Sequence, residues 1–311
     1  MIPGGVRWVQ TFLISMLLIV IGAAQENAQT TVGVTLASVY REPSEASECL
    51  TQVFLGDPVK VQKIQGGWAR VLVPDQYRTT EGYPGWLRVE QLKKSELSPA
   101  SKSLAVAYPL VYLREEPSTD GAILKQVFLA TRLTLAPGGK PVSAGGERWL
   151  PVRLAGDDRS YWVRGNQVVE EQMLREGQGD VIIDRARLFK GTPYLWGGMS
   201  QRGIDCSGLV YTVYRVHGVT VPRDADQQFQ IGEAVDSEDL QAGDLVFFGT
   251  KPSDITHVGI YAGSGMFIHA SSGRGVVMSP LFQGWYLERY QGARRILDPQ
   301  GSGTKSLVPQ D

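Results

Sequence analysis

The first 170 residues form short apolar runs separated by Gly, Pro and Asp, whereas apolar residues at helical spacing appear only later. The short runs are rich in β-branched and aromatic residues, a pattern typical of strands joined by turns. The first helix is expected to start after about Glu170 and to end before Gly191. The residues expected to share one face of it are Val181, Ile182, Ala186, Leu188 and Phe189. The pattern predicts a β-rich half followed by a mixed α+β half.

The β-rich half contains an imperfect repeat, with the same elements in the same order in both copies. The repeated strings are VYREPS at 39–44 and VYLREEPS at 111–118, TQVFL at 51–55 and KQVFL at 125–129, and GWLRVEQL at 85–92 and YWVRGNQV at 161–168. We therefore predict two small β-barrels, residues 29–97 and 103–170. A third domain is predicted over residues 176–297, and the polar tail 298–311 is expected to be disordered.

The N-terminal segment has the features of a signal peptide. Arg7 precedes an apolar run from Phe12 to Ile21, and the small residues Gly22 to Ala24 follow. We predict a signal peptide over residues 1–24, so the protein is expected to be exported to the periplasm or the outer surface. A membrane anchor is the alternative, but the run is shorter than the roughly 20 residues that span a bilayer. No stable membrane partner is therefore expected.

Composition and charge narrow the possible functions. With 42% hydrophobic and 20% charged residues, the 311-residue chain has the composition of a globular protein. Its formal net charge is -1 and its basic residues are spread out, so no surface for a nucleic-acid backbone is indicated. Only Cys49 and Cys206 are present, which leaves an exported protein without a disulfide framework. The single thiol of the third domain therefore needs a chemical explanation.

Cys206 is predicted to lie at the start of a helix. It stands in GIDCSGLVYTV, where apolar residues recur at helical spacing from Leu209 onward, after the small residues Ser207 and Gly208. The unpaired N–H groups and the dipole of a helix start favour a thiolate, so the pKa of this thiol is expected below its free value of about 8.5. A buried, inert cysteine is the alternative. A reactive thiol needs a base within reach.

Two histidines of the third domain are candidates for that base. His257 and His269 lie on two predicted strands of a hairpin, each six residues from Gly263 in the turn, so their side chains are expected to face each other. One imidazole can then fix the tautomer of the other. A zinc site from the thiol and both histidines is the alternative, but no second ligand stands near the cysteine, so no metal is expected. His217 is expected at the surface or in the last helical turn, favouring the helix dipole.

The strings GTPYLWGG, GIDCSGLV, LQAGDLVFF, THVGIYAG and MFIHAS occur in the order found in the NlpC-type peptidoglycan endopeptidases, which the chain resembles over about residues 181–297. The two repeats resemble bacterial Src-homology-3 barrels. The resemblance implies a papain-like α+β domain, with the cysteine helix packed on an antiparallel sheet that carries both histidines. It implies Cys206 as nucleophile, His257 as base and His269 as orienter. The Cys206 N–H and Tyr194 would stabilise the oxyanion, unless Tyr194 merely packs beside its neighbours.

Family members joined to two such barrels bind a free L-alanine amino terminus, and the resemblance implies the same for this chain. Asp205 and Ser207 beside the thiol, with Glu48 and Tyr83 of the first barrel, would hold the ammonium group. From its position alone, Asp205 is predicted to be the helix N-cap. Glu48 could equally be a solvated turn residue and Tyr83 a barrel surface residue.

The function implied is hydrolysis of the γ-D-glutamyl-L-diamino acid bond in peptidoglycan stem peptides that carry free N-terminal L-Ala. Muropeptides are the expected partner, and no cofactor is needed. Arg223 and Asp224 in VPRDADQQF match the same family, although an internal ion pair explains them equally well. The alternatives are a hydrolase that cuts intact wall with its barrels as anchors, and a catalytically inactive scaffold protein. The sequence leaves open the choice between lysine and diaminopimelate, and the oligomeric state.

Overall fold

The structure, a computed structural model, describes residues 28–96, 103–170 and 179–296, which we call the first β unit, the second β unit and the α+β domain. The predicted signal peptide (residues 1–24) and the predicted tail (residues 298–311) lie outside the described residues. Within the three described segments, no helix is both long and apolar enough to cross a membrane.

The first β unit is built from seven antiparallel strands. They are β1 (Ala28–Val32), β2 (Leu36–Tyr40), β3 (Cys49–Phe54), β4 (Lys60–Gln65), β5 (Trp68–Val73), β6 (Tyr83–Arg88) and β7 (Leu92–Glu96), with a 3-10 turn at Val89–Gln91. Five of them form a sheet in the order β3-β2-β6-β5-β4, and β1 pairs with β7. Alternation along β2 turns Ala37 and Val39 inward, where they pack with Val53, Val71 and Leu87.

The second β unit repeats this strand order. Its strands are β8 (Ser103–Val106), β9 (Leu110–Arg114), β10 (Ile123–Phe128), β11 (Arg132–Leu135), β12 (Val142–Ala144), β13 (Glu147–Arg153), β14 (Tyr161–Arg164) and β15 (Val168–Glu170), with a 3-10 turn at Gly165–Gln167. The pairing β10-β9-β14-β13-β12 matches β3-β2-β6-β5-β4, and β11, β8 and β15 continue the sheet. The repeat in sequence is thus matched by a repeat in strand pairing.

The α+β domain has a six-stranded antiparallel sheet in the order β18-β23-β19-β20-β21-β22. Its helices are α1 (Gly179–Arg187), α2 (Cys206–Val216), α3 (Ala225–Gln228) and α4 (Gly284–Arg289), with a 3-10 turn at Ser237–Asp239. Its strands are β16 (Met199–Ser200), β17 (Gly203–Ile204), β18 (Glu233–Val235), β19 (Leu245–Gly249), β20 (Ile255–Gly263), β21 (Met266–Ser271), β22 (Gly275–Pro280) and β23 (Tyr290–Arg295). Helix α2 packs on β20 and β21, so Leu209, Val213, Val258 and Ile268 share one core.

The buried face of α1 differs from the predicted one. Ile182, Ile183 and Ala186 are buried, and Phe189 follows them just beyond the helix. Val181 and Leu188 were expected on the same face, but they are 41% and 40% exposed, so that part of the prediction is wrong. The apolar residues of α1 span more than one face, and contact with α2, β20 and β21 decides which of them are covered.

The first β unit is joined to α2 by buried polar contacts. The Arg215 guanidinium of α2 makes two hydrogen bonds to Asp57, at 3.0 and 2.5 Å, and both side chains are almost fully buried. Tyr211, also in α2, donates to the Asp75 carbonyl at 2.9 Å. Removing one partner of such a buried pair typically costs about 3–5 kcal/mol, because the other charge is left unpaired. The helix that starts at Cys206 is therefore held by the first β unit as well as by its own domain.

Candidate active site

Cys206 is the first residue of α2, as the apolar spacing predicted. Asp205 has an extended backbone, and its Oδ1 accepts a 2.6 Å hydrogen bond from the Gly208 amide, so the predicted N-cap is confirmed. Gly208 has no room for a side chain, because a Cβ there would collide with the Gly198 carbonyl. The small residues after the cysteine thus let the helix start approach the loop that contains Gly198.

The Cys206 thiol is buried, and this reverses the predicted direction of its pKa. Burial, followed by the charge of Asp205, raises the pKa to about 12, while the backbone N–H groups of Val258 and Ser207 act in the opposite direction. The helix start does favour the thiolate through Ser207, but the loss of solvent outweighs it. The predicted lowering is therefore wrong, and the thiol is protonated at neutral pH. Val258 follows His257 in β20, so the thiol lies against the strand that carries the first histidine.

The two histidines are in hydrogen-bonding contact, with His257 Nε2 and His269 Nδ1 2.9 Å apart. The pairing of Ile260 with Ile268 puts His269 across from Gly259, so the rings meet diagonally and not from directly opposite positions. The offset arises because the turn is centred between Ser264 and Gly265, and not on Gly263 as predicted, so residues at equal distances from Gly263 do not pair. The expected contact is confirmed, and its geometry is corrected.

Burial keeps both imidazoles neutral. It lowers the pKa of His257 to about 4, although the nearby Asp205 charge acts in the opposite direction. It lowers the pKa of His269 to about 2, and the charges of His257 and Arg274 add to the effect. At neutral pH each ring therefore has one protonated and one unprotonated nitrogen. A neutral imidazole is the form that can accept a proton from a thiol.

The far side of His269 is held by residues that the sequence strings did not indicate. Its Nε2 lies 3.0 Å from Ser279 Oγ and 3.2 Å from the Tyr286 hydroxyl, and Arg274 donates to both hydroxyls at 3.3 Å. Phe267 stacks on the His269 ring, with centroids 4.5 Å apart. Ser279 and Tyr286 belong to β22 and α4, outside the recognised strings, and only the strand pairing of β21 with β22 brings Ser279 to the histidine.

Arg223 pairs with Asp205 and not with its neighbour Asp224, so the predicted ion pair has a different partner. Its two terminal nitrogens lie 3.0 and 2.7 Å from the two oxygens of Asp205. Nη1 also donates to Ser207 Oγ at 2.9 Å. Asp205 Oδ2 accepts a further hydrogen bond of 2.8 Å from the Gly197 amide. Both oxygens of the carboxylate beside the thiol are thus occupied by partners within the protein.

Tyr83 of the first β unit is buried against the α+β domain, which rules out the surface alternative. Its hydroxyl donates to Asp224 at 3.0 Å, and Arg78 lies 3.2 Å from the same carboxylate. Burial raises the pKa of Asp224, although Arg78 and the Tyr83 hydroxyl partly oppose this. Tyr83 therefore links the first β unit to a partly buried carboxylate of the α+β domain.

Glu48 lies at the same junction but keeps partial access to solvent. Its Oε1 accepts a 2.9 Å hydrogen bond from the Trp196 indole, and its Oε2 accepts one of 2.7 Å from Arg41. The Glu48 side chain is 36% exposed. Glu48 is therefore an exposed residue before β3 with partners from both parts of the molecule.

Tyr194 lies close to the thiol. It forms a parallel bridge with Ile204, two residues before Cys206. Burial raises the pKa of Tyr194, and the next largest contribution comes from the Cys206 thiol. A phenol with a raised pKa keeps its proton and can donate a hydrogen bond near the sulfur.

His217 is buried at the C-terminus of α2, so only the predicted end-of-helix position is confirmed. Its side chain is not at the surface, and its Nε2 is buried without a hydrogen-bond partner. Burial, followed by the positive charge of Arg185, lowers its pKa to about 4. The ring is neutral at pH 7, and the predicted interaction of a charged histidine with the helix dipole is wrong.

His217→Asn is expected to make folding less sensitive to acid. The pKa of His217 is about 4 in the folded chain and 6.5 in the unfolded chain. As the pH falls, the unfolded chain therefore takes up the proton before the folded chain does. The stability that this side chain confers is therefore complete above pH 6.5 and is lost as the pH falls toward 4. The loss is about 2–3 kcal/mol. Asn does not titrate and is tolerated at helix ends.

Urea unfolding of wild type and His217→Asn at about pH 7.5 and about pH 4.5 measures this difference. The wild-type protein should lose more unfolding free energy between the two conditions than the variant. Equal losses would mean that His217 is not the group that takes up the proton.

Among the described residues, no group of three His, Cys, Asp or Glu side chains is arranged to hold a metal ion. The thiol and the two histidines thus do not form the donor set that the zinc alternative needs. What they provide is a buried thiol beside two neutral imidazoles and a phenol. This is the set of groups that acyl transfer by a sulfur nucleophile requires.

Two parts of the chain match known families. Residues 191–295 match the NlpC/P60 family, and residues 39–92 match the bacterial dipeptidyl-peptidase Sh3 domain. The first match contains the thiol and both histidines, and the second lies within the first β unit.

Two bacterial relatives and one solved structure resemble most of the chain. Gamma-D-glutamyl-L-lysine dipeptidyl-peptidase of Bacillus cereus is 35% identical over 266 residues, or 82% of this chain and 77% of that protein. The protein of the same name from Bacillus subtilis is 32% identical over 250 residues, or 79% and 80%. The crystal structure of an NlpC/P60 family protein from Bacillus cereus has a TM-score of 0.74 and 30% identity, covering 87% of this chain and 100% of that chain.

A thiol at a helix start, packed on an antiparallel sheet with two adjoining histidines, defines a papain-like hydrolase with an SH3-like domain N-terminal to it. The chain belongs to the NlpC/P60 family, so it is a cysteine peptidase. The resemblance found in the sequence strings is confirmed.

Proposed function

We propose that this peptidase cleaves the bond between γ-D-glutamate and the L-diamino acid in peptidoglycan stem peptides that begin with a free L-alanine. Two relatives that each align with more than three quarters of the chain are named gamma-D-glutamyl-L-lysine dipeptidyl-peptidases. The observation that carries the proposal is the contact of Glu48 and Tyr83 with the domain that holds the thiol. A wall-binding anchor would not need acidic and phenolic groups at that junction.

In the proposed reaction, Cys206 is the nucleophile and His257 the base. As the sulfur attacks the γ-glutamyl carbonyl, the thiol proton passes to the imidazole, which is neutral and able to accept it. The C–N bond then breaks, and the same proton passes to the departing amine of the diamino acid. Water activated by His257 hydrolyses the thioester and releases the dipeptide and the free thiol. Because both groups start neutral, the proton transfer accompanies the attack.

The oxyanion that forms on attack needs hydrogen-bond donors close to the sulfur. The backbone N–H of Cys206 at the start of α2 has no helical partner and is one donor. Tyr194 is proposed as the second, because its phenol keeps its proton and interacts with the thiol. Together the two donors would stabilise the tetrahedral intermediate on one side of the carbonyl.

His269 is proposed to orient His257. When Nε2–H of His257 donates to Nδ1 of His269, the other nitrogen of His257 is free to accept the thiol proton. In the same tautomer, Nε2–H of His269 donates to Ser279 Oγ, whose oxygen also accepts from Arg274. Every N–H in this series of hydrogen bonds has an acceptor. The tautomer of His257 that can accept the thiol proton is therefore the stable one.

We assign recognition of the free amine to Glu48, Tyr83, Asp205 and Ser207. Glu48 has accessible carboxylate surface, and Tyr83 is held by the partly buried carboxylate of Asp224. Asp205 and Ser207 lie beside the thiol and are already paired with Arg223, so Glu48 provides the accessible carboxylate for the ammonium group. An ammonium ion held by Glu48 beside these residues fixes how far the scissile bond lies from the substrate's N-terminus.

Two further assignments belong to the same proposal. The second β unit would be a barrel of the same type as the first, because the two share strand order and sequence repeat. The protein would be exported by its N-terminal signal peptide and act on muropeptides in wall turnover. Product analysis with the lysine tripeptide and the diaminopimelate tripeptide would show which of the two the enzyme prefers.

N-acetylation of L-Ala-γ-D-Glu-L-Lys is expected to lower kcat/KM by on the order of a hundredfold. The acetyl group removes the positive charge that the accessible Glu48 carboxylate would bind, and its bulk opposes binding. Product formation from the free and acetylated tripeptides, followed by mass spectrometry, measures the ratio.

The matched variants are Glu48→Gln, which removes the charge and keeps the shape, and Glu48→Ala. Both are expected to reduce the preference for the free amine. Equal rates on the two tripeptides, or efficient cutting of intact wall, would replace this proposal with a wall hydrolase whose β units are anchors.

A further inference from the structure

Arg223 uses every one of its donors in the interior of the molecule. Its Nε donates to Thr51 Oγ1 at 2.9 Å, Nη1 to Asp205 and Ser207 at 3.0 and 2.9 Å, and Nη2 to Asp205 and the Gly198 carbonyl at 2.7 and 3.5 Å. Its side chain is 1% exposed. A guanidinium has five N–H groups in a rigid plane, and all of them have acceptors here. A lysine, with three donors on one atom, could not make this set of contacts.

These contacts connect two separate parts of the molecule. Asp205 and Ser207 flank Cys206 at the start of α2, whereas Thr51 lies on β3 of the first β unit. The Thr51 hydroxyl accepts from Arg223 and donates to Gln76 at 2.7 Å, so its position in the first β unit is also fixed. The hydroxyl has no unpaired hydrogen, and the arginine has no unpaired donor. Loss of the Thr51 oxygen would leave a buried N–H of a charged group without an acceptor.

We propose that Arg223 is a positioning residue that makes docking of the first β unit a condition for alignment of Cys206. The inference rests on the proposed role of Cys206 as the nucleophile. With the first β unit docked, Thr51 fixes the plane of the guanidinium, and the guanidinium fixes the carboxylate that caps α2. Without that contact, Nε would lack an acceptor, and the guanidinium would have to shift to pair it, moving the Asp205 carboxylate and the Ser207 hydroxyl beside the thiol.

The electrostatics of the thiol depend on the same contacts. The negative charge of Asp205 disfavours a thiolate at Cys206, and the positive charge of Arg223 opposes that effect. When the guanidinium is displaced, the carboxylate acts on the sulfur with less compensation. The thiol should then ionise at higher pH and react more slowly at a given pH.

The test replaces the acceptor and leaves the arginine in place, because Arg223→Gln would leave Asp205 buried without its counter-ion and could prevent folding. Thr51→Val has the same shape without the hydroxyl, and Thr51→Ser restores the hydroxyl. Asp57→Asn weakens the docking of the same β unit at the other end of α2, away from Cys206. All three are made in the full chain.

The rate of alkylation of Cys206 by iodoacetamide is measured near neutral pH, with peptide mass spectrometry to separate Cys206 from Cys49. Thr51→Val is expected to slow alkylation by about three- to tenfold. On the free-amine tripeptide it should lower kcat while KM changes little. Thr51→Ser should return both rates to within about threefold of wild type. Asp57→Asn should lower the melting temperature and keep the wild-type alkylation rate.

A wild-type alkylation rate in a folded Thr51→Val protein would overturn the inference. So would an Asp57→Asn variant with the same slowing, since docking stability alone would then explain both results. The alkylation assay needs no peptide substrate, so the proposed function is tested separately. If wild type failed to cut the tripeptide while Thr51→Val still slowed alkylation, the substrate assignment would be wrong and the role of Arg223 would be supported.

Discussion

Cys206→Ala is expected to reduce turnover of the free-amine tripeptide by at least about a thousandfold while leaving the fold intact. No other group beside the histidines can form the thioester on which the proposed reaction depends. The substitution removes one sulfur from a buried site at the start of α2, and it leaves the cap of that helix in place. We therefore expect a stability cost of about 1 kcal/mol, far too small to explain the loss of turnover. Single-turnover product analysis and thermal unfolding measure the two effects separately.

Cys49→Ala is the matched control, because it removes the only other thiol of the chain. Cys49 lies on β3 and its sulfur donates to the Thr51 carbonyl, so it is near the site but has no histidine partner in the structure. It should keep turnover within about threefold of wild type. A Cys206→Ala enzyme with more than about a thousandth of wild-type turnover would refute the mechanism. Inhibition of wild type by chelators would instead favour the zinc alternative.

The parts of the site that could be predicted are those that lie within short strings. The helix start at Cys206 follows from small residues before an apolar stretch, and the contact of His257 with His269 follows from two strands joined by a short turn. The diagonal meeting of the rings could not be predicted, because it depends on which residues form the turn, and the turn is centred between Ser264 and Gly265 and not on Gly263. Alternation shows which residues share a face of a strand, but not which residues they oppose.

The pKa of the thiol and the partner of Arg223 could not be predicted for a different reason. The helix dipole at Cys206 is a local effect, whereas the burial that outweighs it depends on tertiary packing, in which the thiol lies against Val258 of β20. Arg223 stands next to Asp224 in the sequence, yet it meets Asp205, eighteen residues earlier. A charged residue pairs with whatever the fold brings to it, and adjacency in the chain carries little information about that.

The contacts between the first β unit and α2 had no counterpart in the sequence patterns. Thr51 is a polar residue on β3, and Asp57 follows that strand. In a sequence, isolated polar residues of this kind usually indicate local turns or solvated surface. The repeat suggested two equivalent barrels. The structure shows that the first β unit has a specific interface with the helix that starts at Cys206, so similar strand pairing in the two β units does not predict which contacts each one makes.

His257→Ala is expected to abolish turnover, by about ten-thousandfold or more, whereas His269→Asn and His269→Gln should lose about ten- to a hundredfold. A base must take up and return a proton, and alanine can do neither. The orienter only has to accept the Nε2–H of His257, and an amide oxygen can do so. His269→Ala is the matched control: with no acceptor, His257 can adopt the wrong tautomer, and the loss should approach about ten-thousandfold.

The pH profile separates the two roles further. Because burial lowers the pKa of His257 to about 4, wild-type kcat/KM should stay level as the pH falls from 7 and should drop only when this imidazole becomes protonated. The midpoint of the acid limb should therefore belong to His257 and should persist in His269→Asn. If His269→Asn were as inactive as His269→Ala, the amide would not replace the imidazole, and His269 would have to carry a proton itself. If His269→Asn were less active than His257→Ala, the roles of the two histidines would be reversed.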